Sequence, residues 1–105
     1  MQMDSFSALA DPTRRRIIES LSAGERSFGE IADAFEMSRP AVSQHLKVLK
    51  KHGLVNSRAQ AQRRIYSLNA GALKDIDGWL KKVQSYWIDS LDRLIDELQR
   101  EIDDE

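Results

Sequence analysis

The chain has 105 residues, 16 Lys and Arg against 17 Asp and Glu, 41% apolar residues and no cysteine. That length makes one small domain, marginally stable alone, for which burial shared with a partner chain is in keeping. The missing cysteine excludes disulfides, thiolate metal ligands and thiol redox sensing. With no apolar run of membrane-spanning length and no signal-peptide pattern, a cytoplasmic protein with no membrane partner is expected.

A short helical piece carrying Phe6 and Leu9 comes first. Asp11-Pro12 starts a second helix, with Asp as N-cap and Pro at the first helical position. Ile17, Ile18 and Leu21 are its apolar residues, and Gly24 ends it. A third helix begins near Gly29, with Ile31, Ala32 and Phe35 on one face, and breaks around 36–38. Ser38 reads as the N-cap of a fourth helix that tolerates Pro40 in its first turn. Val42, Leu46 and Leu49 mark its buried stripe at helical spacing, and Gly53 stops it. Two β-type runs follow, 54–58 and 63–68. Ala59-Gln60-Ala61-Gln62 joins them into a hairpin, without the Gly or Asn that tight turns prefer.

From about 71 to 102 the pattern is one long helix, on the order of 30 residues and so roughly 45 Å. Leu80, Val83, Trp87, Leu91, Leu94, Leu98 and Ile102 are spaced 3, 4, 4, 3, 4 and 4 apart. That 11-residue repeat favours a nearly straight helix. Leu73, Ile76 and Trp79 are expected on the domain's own body. The stripe beyond is too long for one small domain to cover and calls for a second chain. The expected dimer interface is Trp79, Leu80, Val83, Trp87, Leu91, Leu94 and Leu98. The expected fold is therefore mostly α with a small β-hairpin: residues 1–70 for the compact part and 71–105 for a dimerisation helix, continuous with it.

Charge is unevenly spread. Residues 1–69 carry 11 Lys and Arg against 7 Asp and Glu; residues 70–105 carry 5 against 10. Between Met37 and Lys74 there is no Asp or Glu, while Arg39, Lys47, Lys50, Lys51, Arg58, Arg63, Arg64 and Lys74 all fall there. A charge run is ordinarily a solvated face. A long acid-free window in an acid-rich chain is what a surface facing a polyanion requires, because each stray carboxylate repels phosphate. Two helices joined by a short turn, the second rich in basic and amide side chains, suggest a helix-turn-helix. The hairpin after it, with Arg58, Gln60, Gln62, Arg63 and Arg64, can serve as a wing along a phosphate backbone or into a minor groove. Double-stranded DNA is the expected partner.

Three blocks, ALADPTRRRIIESL (8–21), SRPAVSQHLKVLKKHGLV (38–55) and RRIYSLN (63–69), resemble in order and spacing the signature blocks of ArsR-type winged-helix repressors. GWLKKVQSYWIDSLDRLIDEL (78–98) resembles a subgroup with two tryptophans and a long terminal helix. The resemblance implies a homodimer that binds a palindromic operator, represses transcription and is released by an inducer of unknown identity. It also implies contacts from the first two turns of the recognition helix, here Arg39, Pro40, Ser43 and Gln44. Helical geometry agrees: Arg39, Ser43 and Lys47 stand at i, i+4 and i+8, opposite Val42, Leu46 and Leu49. Arg39 suits guanine edges and Gln44 adenine, with phosphate the alternative for either. Ser38 caps its helix, in a position that also suits a phosphate. Lys47, Lys50 and Lys51 are backbone candidates, and His45 is either DNA-facing or packed. In the Arg14-Arg15-Arg16 run, some side chains are expected to pair with nearby acids or steer DNA. Tyr66 is expected to pack between wing and body. Trp79, Tyr86 and Trp87 are core, interface or the lining of an inducer pocket.

The sequence departs from the family where metals are sensed. The helix before the recognition helix reads GEIADAFE, with neither Cys nor His, and the terminal helix has no His. Metal sensing is not carried over, and no cofactor or metal site is expected. No arrangement of nucleophile, base and acid suggests an enzyme. The competing reading is a winged-helix module that binds protein through its long helix, its basic face being incidental.

Overall fold

The computed structural model describes residues 4–104. In chain order the elements are α1 (Asp4–Leu9), α2 (Pro12–Ser20), β1 (Arg26–Ser27), α3 (Phe28–Asp33), α4 (Arg39–Lys51), β2 (Val55–Gln60), β3 (Arg63–Leu68) and α5 (Ala70–Asp103). The chain divides into two compact units, one ending at Leu73 and the other beginning at Lys74.

In the first unit, local chemistry sets most boundaries. Asp11 caps α2, accepting the Arg14 N–H at 3.0 Å, with Pro12 in the first turn. Ser27 caps α3 in a full capping box: its hydroxyl accepts the Glu30 N–H at 3.1 Å, and Glu30 accepts the Ser27 N–H at 2.9 Å. Both devices satisfy orphan N–H groups of a helix start. At the other end of α4, Gly53 takes φ +76. There the Leu54 N–H bonds Leu49 O at 2.9 Å and the Gly53 N–H bonds Lys50 O at 3.0 Å. These are the two bonds of a Schellman stop, which needs a left-handed residue and hence favours Gly. α1 and α2 pack on each other and on α4, α3 packs on α4 and β3, and α4 on β2. The core is Ile17 and Leu21 of α2's face, Ile31 and Ala32 of α3, Val42, Leu46 and Leu49 of α4, and Leu54, Val55, Ile65 and Tyr66 of the sheet region.

The hairpin is part of a three-stranded antiparallel sheet in the order β1-β3-β2. The two-residue β1, not expected from sequence, pairs Arg26 with Tyr66 and Ser27 with Ile65. The β2–β3 ladder runs from Val55↔Leu68 to Gln60↔Arg63, leaving only Ala61 and Gln62 as the turn. The four-residue connection expected from sequence is thus two residues long. Ala61 takes φ 56 to close it, a conformation that costs an L-residue about 1–2 kcal/mol and that Gly adopts freely. In the second unit α5 is helical through Asp103, and its ten exposed large apolar side chains include Ile88 and Ile95 beside the expected stripe.

Two caps make stability pH-dependent. The Arg14 N–H bond, then the charges of His45 and Arg14, hold the Asp11 carboxyl below its ordinary range. The Ser27 N–H and hydroxyl, then Arg63, do the same for Glu30. Folded values below the unfolded ones mean that the unfolded chain binds more protons in acid. The stabilisation is therefore present above the ordinary carboxylate pKa of about 4 and is lost as pH falls through the folded values. In Asp11→Asn and Glu30→Gln, which keep the acceptor oxygen, the stability deficit relative to the parent should shrink between about pH 5 and pH 3. Denaturant melts at each pH measure this; a deficit constant across that range would contradict it.

Candidate nucleic-acid interface

α3 and α4, with the turn between them, form the helix-turn-helix, and β2 and β3 form the wing. Ser38 caps α4 through its hydroxyl, which accepts the Ala41 N–H at 3.2 Å. With Val42, Leu46 and Leu49 buried, the opposite side of α4 is open: Arg39, Pro40, Ser43, Gln44, Lys47, Lys50 and Lys51 are all exposed. Arg58, Arg63 and Arg64 are exposed on the wing. A cleft of about 470 Å³ lies between the two, lined by Arg39 and Ser43 from α4, Gln62, Arg63, Arg64 and Tyr66 from the wing, and Ser27, Phe28 and Gly29 from the start of α3. Helix and wing therefore share one basic face.

His45 stands apart from that face. It is half-buried, with Nδ1 3.8 Å from Asp11 Oδ2 at the start of α2. The reason is spacing: i+3 from Val42 and i−4 from Leu49, it flanks the buried stripe. We therefore drop it from the DNA-facing set. The arginine run also differs from expectation. Arg14 Nε donates to Ala8 O at 2.6 Å and Arg15 Nη1 to Leu9 O at 2.7 Å, so both cap the carbonyl end of α1. The Arg16 guanidinium lies 5.1 Å from the Phe35 ring centroid. Tyr66 is buried, as expected, and burial raises its phenol pKa.

The acid-free window does not produce an acid-free surface. Arg39 Nη2 is 3.4 Å from Asp33 Oδ1, with its guanidinium 5.9 Å from the Phe28 ring centroid. Arg63 Nη2 is 3.4 Å from Glu30 Oε1, and Arg58 Nη2 is 3.0 Å from Glu25 Oε1. Lys50 Nζ donates to Ser57 Oγ at 2.7 Å, fastening helix to wing. Lys47 has no ion pair or hydrogen bond among the described residues and presents a bare ammonium. The Ser27–Glu30 spacing signals a capping box, but Glu30 comes beside Arg63 only through the pairing of Ser27 with Ile65.

Among the described residues, no three His, Cys, Asp or Glu side chains converge to hold a metal ion, and no helix is long and apolar enough to cross a membrane.

An exposed basic α4 with a basic wing beside it defines a winged helix-turn-helix of the DNA-binding regulators. The family model described as bacterial regulatory protein, arsR family, matches residues 11–57. The chain is 39% identical over 75 residues to the transcriptional repressor SdpR of Bacillus subtilis, covering 71% of this chain and 83% of SdpR. It is 45% identical over 87 residues to the HTH-type transcriptional regulator Rv2034 of Mycobacterium tuberculosis, covering 78% of this chain and 81% of the relative. Its fold is similar to the homodimeric winged helix-turn-helix DNA-binding domain of a Mycobacterium bovis protein, with TM-score 0.65, 29% identity, and 78% and 76% of the two chains covered. The chain belongs to the ArsR family of bacterial DNA-binding transcriptional regulators.

Proposed function

We propose that the chain acts as a homodimeric repressor of a palindromic operator, with residues 1–70 binding DNA, α5 joining the two copies, and no metal as effector. The observation that carries the DNA reading is the shared basic face of α4 and wing. On this reading Arg39 and Gln44 reach base edges in the major groove. Ser38, Pro40, Ser43 and Lys47 line the approach, and Arg58, Arg63 and Arg64 follow the adjacent phosphates. The repressor sign is supported by the name of SdpR and the homodimer by the M. bovis domain. Metal independence is supported by the ligand types: no Cys, and two His that both lie on or just after α4.

Fluorescence anisotropy with an operator selected from genomic fragments, and with random duplex, tests this at several salt concentrations. Arg39→Ala or Gln44→Ala should cost on the order of 1–3 kcal/mol on operator and less on random duplex. Arg63→Ala or Arg64→Ala should weaken both alike and flatten the log K against log salt slope by about one unit per lost contact, about two per dimer. Chelator, or micromolar zinc, nickel or cobalt, should leave operator affinity unchanged. A tenfold metal-dependent change would refute metal independence, and equal losses on both duplexes for all four variants would remove the base-reading roles.

A further inference from the structure

Three of the four exposed arginines of α4 and the wing rest on a carboxylate that comes from before the acid-free window: Arg58 on Glu25, Arg63 on Glu30 and Arg39 on Asp33, at 3.0, 3.4 and 3.4 Å. All six side chains are at least half exposed, from 51% to 77%. Exposed pairs of this kind contribute little to folding. Nor does capping account for the pattern: Glu30 does cap α3, but Glu25 and Asp33 make no capping bond. The common property is position, with each carboxylate on a guanidinium that a phosphate would otherwise take.

We propose that Glu25, Glu30 and Asp33 are built-in competitors of DNA phosphate, holding Arg58, Arg63 and Arg39 in the free chain and lowering its affinity for DNA of arbitrary sequence. The inference rests on the α4–wing face being the DNA face. For a guanidinium to take a phosphate, it must give up its carboxylate, which then stays a few ångströms from a second anion. The approach therefore exchanges one ion pair for another and adds a repulsion. The cost falls on phosphate contacts, which make up nearly all of non-specific binding. It is smaller where Arg39 meets a base edge, because that edge carries no net charge and Asp33 meets only the partial charges of its acceptors. Such competition keeps a regulator from being titrated by the excess of non-specific genomic sites.

The test compares the Glu25→Gln/Glu30→Gln/Asp33→Asn variant with a charge-matched control, Glu19→Gln/Glu36→Gln/Asp89→Asn. The control residues are exposed and in no ion pair among the described residues. The Glu30→Gln change keeps the acceptor oxygen that the Ser27 N–H needs, so the capping box survives, and thermal unfolding verifies that both variants fold. Binding of a random-sequence duplex is titrated by anisotropy at several salt concentrations. Each neutralised pair should raise affinity roughly 1.4- to fivefold per protomer. With three pairs in each of two copies, the triple variant should therefore bind random duplex at least about sevenfold tighter than the control, with a steeper salt slope. A smaller margin over the control overturns the proposal, because the gain then comes from net charge alone. A parent that binds no duplex at low salt fails the DNA-face reading itself and takes the proposal with it. A parent that binds, with variant and control alike, fails the proposal only.

Discussion

Lys47→Glu should abolish binding to operator and to random duplex alike while leaving fold and assembly unchanged. Lys47 lies on the open side of α4, two turns after Arg39 and one after Ser43, and makes no ion pair or hydrogen bond among the described residues. Nothing in the folded chain depends on its charge, so reversal should cost little stability: surface changes away from special features stay within about 0.5 kcal/mol. Facing a polyanion, the same change removes one attraction and installs one repulsion, in both copies. At about 1–2 kcal/mol per protomer, the dimer loses roughly one and a half to three decades in affinity at moderate salt, recovering part of it as salt screens the repulsion. Ser43→Glu, one turn earlier and on the cleft, should behave the same way. Anisotropy for binding, with circular dichroism and sedimentation as controls, reads this directly. A Lys47→Glu protein that binds duplex as the parent does would mean that the basic face meets something other than DNA, and the winged-helix protein-binding module becomes the better account.

How far the sequence foretold this follows from where each signal resides. α4 was legible to within a residue because its cap, its Pro40, its 42-46-49 stripe and its Gly53 stop are all local features. β1 was not, because two residues carry no periodicity. It exists only as the partner of Tyr66 and Ile65, some 40 positions on. The wing ladder continued to Gln60 for the same reason: Arg63 and Arg64 extend it from the facing strand, and the strain this places on Ala61 is invisible without the pairing. The charge reading failed in an instructive way. Counting acids along the chain picked out the exposed basic side chains of α4 and the wing, but folding brings Glu25, Glu30 and Asp33 back to their arginines. The position of His45 was available from helical spacing, since it shares a flank with Val42 and Leu49. In α5, a single 11-residue stripe passed over Ile88 and Ile95. At 100° per residue these widen the apolar face from Val83 round to Ile88 to roughly 140°.

That wide face carries the largest expected effect on assembly. Leu91→Asp/Leu98→Asp should turn the protein from dimer to monomer at micromolar concentration. Leu91, Leu94 and Leu98 are 52%, 51% and 51% exposed, and Trp87, Ile88 and Ile95 are 61%, 57% and 60% exposed, in a continuous array along one side of α5. An exposed apolar array of this extent marks a surface that a partner covers. Covering the exposed half of each is worth about 1 kcal/mol per side chain, and a two-fold axis counts every one twice. Across the array that is about 12 kcal/mol, on the scale of the roughly 4–15 kcal/mol that association costs in lost freedom. A carboxylate at positions 91 and 98 removes two such contacts per copy and buries charge in their place, a loss of at least about 4 kcal/mol per dimer, or three decades in Kd. The helix itself tolerates the change, since both sites are exposed in the single chain and Asp costs an exposed helix position only about 0.7 kcal/mol. Two expectations then separate the roles of the two units. Sedimentation should give a folded monomer whose circular dichroism retains the helices of the first unit. Operator affinity should collapse towards that of random duplex, because a lone copy reads one half-site and loses the second as a linked contact. A variant that stays dimeric would place the contact between copies elsewhere. One that becomes monomeric yet keeps full operator affinity would leave the dimer without a part in recognition.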